Sequence, residues 1–295
     1  MQGRSFDALK GIYKFNPNSK LEAVVTYNND DNDLNDLPEK EIYSIAEAGE
    51  ITKSLQIIHY DYSGKNKFQF SAIAMNQVLQ NPSGAHYDLL TVGINSKKYL
   101  ENIGFFGSAY YQTGKNTLAQ SKNAYQFSAN VDFLIHSKFN VILGTEWLSG
   151  RNFDTDSGEN KSFSPMYGTN HLHNGFMDYF YFGNSHFNSF GLNDYYLKSN
   201  LKFSPNSILQ ANLHAFTSNG KLGFDTSGEK IPSYLGTELD LVFTHKIGKS
   251  ITANLGHSFM FSGKSMEYLK NVPEPKNLQT WSWIAFRIAP NFKIK

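Results

Sequence analysis

Apolar and polar residues alternate at every second position along most of this chain, and stretches with helical period are few. The alternation predicts thirteen strands, at 4–15, 20–28, 54–61, 67–76, 87–96, 102–112, 124–135, 139–148, 193–203, 207–217, 233–246, 250–261 and 278–289. Many of them run nine to twelve residues, whereas strands in soluble sheets are usually about five or six residues long. Because a tilted strand needs about nine to eleven residues to cross a bilayer, their length favours a transmembrane β-barrel.

The connections between these strands alternate between short and long. The short ones are 16–19, 62–66, 97–101, 136–138, 204–206 and 247–249, and the long ones are 29–53, 77–86, 113–123, 149–192, 218–232 and 262–277. Outer-membrane barrels have short periplasmic turns and long extracellular loops, whereas a soluble sandwich has no reason to sort its loops by length. The expected fold is all-β: one antiparallel barrel domain over 1–295, with 149–192 as a long extracellular loop folded toward the pore.

The direction of the strands bears on the length of the barrel. If the C-terminus is periplasmic, strand 278–289 runs inward, and so does strand 4–15 by counting back. An all-antiparallel barrel closes with an even number of strands, so at least one more strand is expected before Met1. The first residues, MQGRSFDALK, also lack the pattern of a signal peptide. We therefore expect a partial or open barrel, the C-terminal portion of a longer one.

Composition excludes several kinds of site. The chain has no cysteine, which excludes disulfides, a thiol nucleophile and a cysteine-ligated zinc. Apolar runs are too short for a transmembrane helix. The formal net charge is +1, so no general attraction to nucleic acid is expected. No cofactor and no bound metal are expected.

The alternation also predicts a lipid-facing side and a polar lumen. In 124–135, apolar residues such as Phe127 and Phe133 alternate with polar ones such as Gln126 and Asp132. In 233–246, the apolar set is Leu235, Thr237, Leu239, Leu241 and Phe243, against Gly236, Glu238, Asp240 and Val242.

Charged residues on the polar side are the first candidate site. They are either hydrated groups paired across strands or a basic ladder that binds anionic solutes, with acids adjusting the field. Arginine is the sharper candidate because its planar fork grips a carboxylate with two hydrogen bonds. The predicted pore-lining residues are Arg4, Lys10, Asp132, Asp194, Lys198, Glu238, Asp240 and Arg287.

The second candidate site is the segment 162–186, SFSPMYGTNHLHNGFMDYFYFGNSH, which has neither helical nor strand period. Its histidines and Asp178 could hold zinc or serve hydrolysis, although the spacing matches no known ligand signature. The favoured interpretation is an inward-folded loop that narrows the pore or binds sugar hydroxyls. The predicted constriction residues are Tyr167, Asn170, His171, His173, Asp178 and Tyr179. Acidic residues from Asp30 to Asp36 could bind calcium but are expected to be a solvated loop.

Several motifs in this order resemble the alginate-export family of outer-membrane porins. They are QGRSFDAL, the segment 162–186 followed by GLNDYYLK, YLGTELDL, and FMFSGKSMEYLK before a closing strand that contains tryptophan. The resemblance implies an eighteen-stranded barrel, of which five strands would precede this chain, with a basic lumen that passes anionic uronate polysaccharide. Arg4, Glu238, Asp240 and Arg287 would be the counterparts of its lumen charges.

The predicted function is therefore passive transport of anionic, alginate-like, or neutral oligosaccharides and polysaccharides across the outer membrane of a Gram-negative bacterium. The expected partners are outer-membrane lipid, the saccharide and the barrel-assembly machinery. Two alternatives stay open. One is a barrel-borne hydrolase or lyase that uses His171, His173 and Asp178, and the other is a non-conducting surface protein that binds glycans.

Overall fold

The computed structural model describes residues 7–28, 51–81, 83–166, 174–180, 189–272, 274 and 276–290. These residues form one sheet of fourteen strands, thirteen of which follow each other in chain order as an antiparallel meander. The sheet is open: β1 and β14 are its edges. The strands are β1 (Leu9–Asn16), β2 (Ser19–Tyr27), β3 (Ile51–Ser63), β4 (Phe68–Gln80), β5 (His86–Leu100), β6 (Ile103–Lys115), β7 (Ser121–His136), β8 (Phe139–Leu148), β9 (Glu159–Asn160), β10 (Leu192–Ser204), β11 (Ser207–Thr217), β12 (Tyr234–Ile247), β13 (Ile251–Ser262) and β14 (Leu278–Ile288).

The thirteen strands of the meander are the thirteen predicted from the alternation, and β8 and β11 have the predicted bounds. Two predicted long connections, 77–86 and 113–123, are wrong: the strands continue, and only 81–85 and 116–120 connect them. Each connection is tightened by an asparagine side chain. Asn81 Oδ1 accepts hydrogen bonds from the backbone N–H groups of Ser83 and Ala85, and Asn116 Oδ1 does the same for Leu118 and Gln120.

Two elements inside the long connections were not predicted. Strand β9 pairs in parallel with the start of β7. The helix α1 (Ser265–Lys270) lies between β13 and β14 and ends at Asn271, whose φ of 52° is in the left-handed region. No helix in the described ranges is long and apolar enough to cross a membrane.

The sheet has an outer and an inner face of different chemistry. The outer face exposes large apolar side chains, among them Leu143 (59% exposed), Leu197 and Leu213. The inner face carries polar and charged side chains, of which Asp194 and Glu238 are buried. This is the distribution expected when one face meets lipid and the other lines a wet interior.

Leu235 is an exception to the predicted alternation. The sequence pattern assigns it to the outer face, yet its side chain is fully buried. Pairing between β11 and β12 shifts from Phe216–Gly236 to Thr217–Tyr234, so Leu235 is the extra residue of a β-bulge. The bulge allows Leu235 to join the hydrophobic core instead of facing outward.

The core lies where the long connections meet the inner face. Side chains from β7, β8 and β10–β13 pack there against residues of 149–191, 218–233 and α1. The ring of Phe180 lies 4.5 Å from that of Phe216, centroid to centroid. The inner face is therefore covered by its own loops at this end of the strands. The buried core residues are Ala124, Leu148, Phe163, Phe180, Phe190, Leu192, Phe216, Leu222, Ile231, Leu235, Met260 and Met266.

Candidate functional site

The candidate site is the inner face near the long connections, together with residues 174–180, which we call the seated segment. Of the predicted constriction residues, Asp178 and Tyr179 belong to this segment. Arg4, Tyr167, Asn170, His171, His173 and the acidic residues Asp30–Asp36 lie outside the described residues.

Strand register brings acidic side chains together on the inner face. Asp194 pairs with Glu146 across β10 and β8, while His214 pairs with Glu238 across β11 and β12. His214 Nδ1 lies 2.9 Å from both carboxylate oxygens of Asp194. Both side chains are almost fully buried, and a buried carboxylate needs such a partner. Asp194 and His214 therefore form one polar unit beneath the loops.

Glu238 and Asp240 are neighbours on the inner face of β12, and both are fully buried. Glu238 Oε1 accepts a hydrogen bond from Met177 N at 2.9 Å, and Asp240 Oδ1 accepts one from Ser258 Oγ at 2.5 Å. Glu238 Oε2 and Asp240 Oδ2 have no hydrogen-bond partner in the described part of the chain. Glu238 thus connects the inner face of β12 to the seated segment.

The backbone conformation of the seated segment and the close approach of Gly175 both allow the segment to contact Glu238. Asn174, Gly175 and Asp178 have φ values of 62°, 84° and 55°, in the left-handed region that glycine adopts without strain. A Cβ atom on Gly175 would lie 2.5 Å from Glu238 Oε1. A side chain at position 175 is therefore excluded while Glu238 keeps its place.

The other end of the seated segment is held from α1 and β14. Lys270 Nζ donates to the backbone oxygen of Tyr179, and the Tyr179 hydroxyl donates to Gln279 Oε1. Burial lowers the pKa of Lys270 to about 8. Burial, and secondarily the charge of Glu238, raises the pKa of Tyr179. The segment is thus bound by side chains of three elements distant in sequence.

The remaining predicted charges do not form one basic ladder. Lys10 Nζ lies 3.1 Å from Glu22 Oε2, and Lys198 Nζ lies 4.5 Å from the centre of the Tyr196 ring. Asp132 accepts a hydrogen bond from Asn140 Nδ2 at 3.0 Å. Arg287 is exposed on β14, opposite Thr252. These residues share the inner face but not one cluster.

A second charged cluster, on β1–β3, was missed by the sequence reasoning. Glu22, His59 and Asp61 are close enough to hold a metal ion, but Lys20 Nζ lies 2.9 Å from Glu22 and 3.2 Å from Asp61. Both carboxylates are therefore already paired with the ammonium group of Lys20, and Lys10 adds a second ammonium group next to Glu22. The two-residue spacings Lys20–Glu22 and His59–Asp61 could have revealed a charged face.

The chain has no match among protein-family models, and no curated protein matches it. Solved structures do match: the outer membrane protein OprD from Pseudomonas aeruginosa has a TM-score of 0.56 at 12% identity, over 94% of this chain and 67% of that chain. For the outer membrane protein OpdK of the same organism, the TM-score is 0.54 at 9% identity, over 96% of this chain and 69% of that chain. Pseudomonas aeruginosa OccK11 (OpdR) gives a TM-score of 0.54 at 9% identity, over 99% of this chain and 73% of that chain. These neighbours do not support the predicted alginate-export family, and at such identities the likeness establishes the architecture alone: the open antiparallel sheet of this chain matches about two thirds of the β-barrel of the OprD-type outer-membrane porins.

Proposed function

We propose that this chain belongs to a pore of the Gram-negative outer membrane through which small hydrophilic solutes diffuse passively. The observation that carries the proposal is the contrast between the two faces of one long antiparallel meander. The outer face exposes apolar side chains such as Leu143 and Leu213, while the inner face carries charges. An apolar band around a polar interior is the arrangement of a porin.

The seated segment supplies the constriction in this proposal. It lies on the inner face, held by Glu238 from β12, Lys270 from α1 and Gln279 from β14. A segment on the inner wall takes space from the solute path. The loop 149–192 thereby acts as the selectivity element, and Asp178 and Tyr179 are the described members of the predicted constriction.

Charge on the wall beside the seated segment favours neutral and cationic solutes. Glu146, Asp194, Glu238 and Asp240 lie at this end of their strands, where Lys198 and Lys270 are nearby lysines. Acidic rings select cations in channels. The anionic or neutral oligosaccharide cargo stays a prediction from the sequence, and alginate is not supported by the structural neighbours.

Reconstitution in planar bilayers tests the proposal. Discrete conductance steps are expected, with a reversal potential in a salt gradient that shows cation preference. Swelling of liposomes in neutral sugars should fall with the size of the sugar. A protein that inserts into the bilayer but never conducts would contradict the proposed pore and favour the non-conducting glycan-binding protein. If that protein also cleaved polysaccharide, the hydrolase or lyase alternative would be favoured instead.

A further inference from the structure

A cavity of about 390 Å³ lies between the inner face of β3–β8 and the long connection after β8. Such a volume is within the usual range of sites for small organic molecules, roughly 300–1,000 Å³. Its floor and walls are largely apolar. The side chains that give it this character are Ile57, Ile73, Met75, Leu148, Phe163 and Met166.

Glu146 and Asn174 each give this cavity a hydrogen-bond acceptor. Glu146 is the one charged residue among the described residues that line it, and its Oε1 accepts a hydrogen bond from Gln126 Nε2 at 3.1 Å. Asn174 also lines the cavity and is 4% exposed, and its Oδ1 has no hydrogen-bond partner among the described residues. A buried acceptor without a donor is costly, so this oxygen indicates a missing donor.

Two amide donors of the cavity are already engaged. Gln112 Nε2 donates to the backbone oxygen of Ser164 at 2.9 Å, and Gln112 Oε1 accepts from Ser164 N at 3.0 Å. Gln126 donates to Glu146. The rings of Tyr110 and Phe163 also line the cavity and can attract a cation through their faces. An anion would meet Glu146 there with no lysine or arginine among the described lining residues.

We propose that this cavity binds a compact apolar solute that carries a primary ammonium or guanidinium group. The cation would bind Glu146 and donate to Asn174 Oδ1, while the apolar body would fill the space beside Met75 and Phe163. The inference rests on the proposed function, because the solute reaches the inner face through the pore. It gives that pore a substrate class: small organic cations.

Three probes of similar shape test the site on the full chain folded in detergent micelles. They are 2-phenylethylammonium, 3-phenylpropionate and 2-phenylethanol, whose binding is measured by calorimetry. The cation should bind at least about tenfold more tightly than the anion. Glu146→Gln should weaken binding of the cation about tenfold, equivalent to about 1.4 kcal/mol, and should leave 2-phenylethanol nearly unchanged.

Matched variants separate the site from a general effect of charge. Asp132→Asn removes another inner-face acid, one that does not line the cavity, and should leave binding of the cation unchanged. Asn174→Ala should weaken it several-fold and provides a second variant if Glu146→Gln fails to fold. Equal affinity for cation and anion, or an unchanged affinity in both Glu146→Gln and Asn174→Ala, overturns the proposal.

Bilayer conductance separates this inference from the proposed function. A protein that binds 2-phenylethylammonium through Glu146 but never conducts would refute the pore and retain the site. A protein that conducts but binds the three probes alike would refute the site and retain the pore.

Discussion

Replacing Gly175 with alanine is expected to release the seated segment from the inner face. At a φ of 84°, an alanine costs about 1–2 kcal/mol. The new Cβ atom would also lie 2.5 Å from Glu238 Oε1, so Glu238 must withdraw. Met177 N then loses its acceptor at 2.9 Å, which costs about 1–3 kcal/mol where water cannot take its place.

Gly228→Ala is the matched control. Gly228 has a φ of 80°, but a Cβ atom there meets nothing within 4 Å. The strain at Gly228 lies in the connection between β11 and β12 and does not act on the seated segment. Only Gly175→Ala is expected to release the segment, and its strain and lost hydrogen bond together amount to about 2–5 kcal/mol. This corresponds to about a 30- to 5,000-fold larger population with the segment released.

Cleavage by chymotrypsin measures that population, because the seated segment contains Phe176 and Tyr179. When opening is fast relative to cleavage, the rate follows the open fraction. The fragments are identified by mass, and single-channel conductance should rise in the same variant. Equal cleavage rates within 174–180 for Gly175→Ala and Gly228→Ala would refute the role of the Glu238 contact.

Three further predictions concern the outer face, a buried lysine and an exposed arginine. Leu213 lies on the outer face in the middle of β11, so Leu213→Arg should destabilise the protein folded in vesicles by about 2–4 kcal/mol, measured by urea titration. Gln210→Arg on the inner face should change this stability much less. Since burial lowers the pKa of Lys270 to about 8, Lys270 binds more protons in the released state than in the seated state between pH 8 and 10.5. The seated state should therefore gain stability as pH rises through that window, so cleavage corrected for protease activity should slow in the wild type but not in Lys270→Met. Arg287→Ser should shift the reversal potential toward greater cation preference, and an unchanged potential would assign Arg287 a structural role.

The meander could be predicted because its determinants are local. Alternation identifies a strand from its own residues, and short turns then fix which strand it pairs with. The bounds 139–148 and 207–217 are the predicted ones for this reason: each of these strands follows a tight turn, 137–138 or 205–206. The extensions of β3 and β4 were missed because their stabilising contacts cross between strands. Gln77 Nε2 of β4 donates to Thr52 Oγ1 of β3 at 2.5 Å, so residues that the sequence pattern assigns to connections are held as strands.

The site could be predicted only in part, because its contacts join residues far apart in the sequence. Histidines and aromatics drew attention to 162–186, but the seated segment within it is held through the backbone groups of Met177 and Tyr179 and the Tyr179 hydroxyl. No sequence pattern marks a backbone N–H that will meet a glutamate on β12. The informative residue is instead Glu238, because a carboxylate on a wet wall is expected to be hydrated, and this one is fully buried. Its burial requires a cover that supplies hydrogen-bond donors, and Gly175 allows the chain to approach closely enough to provide one.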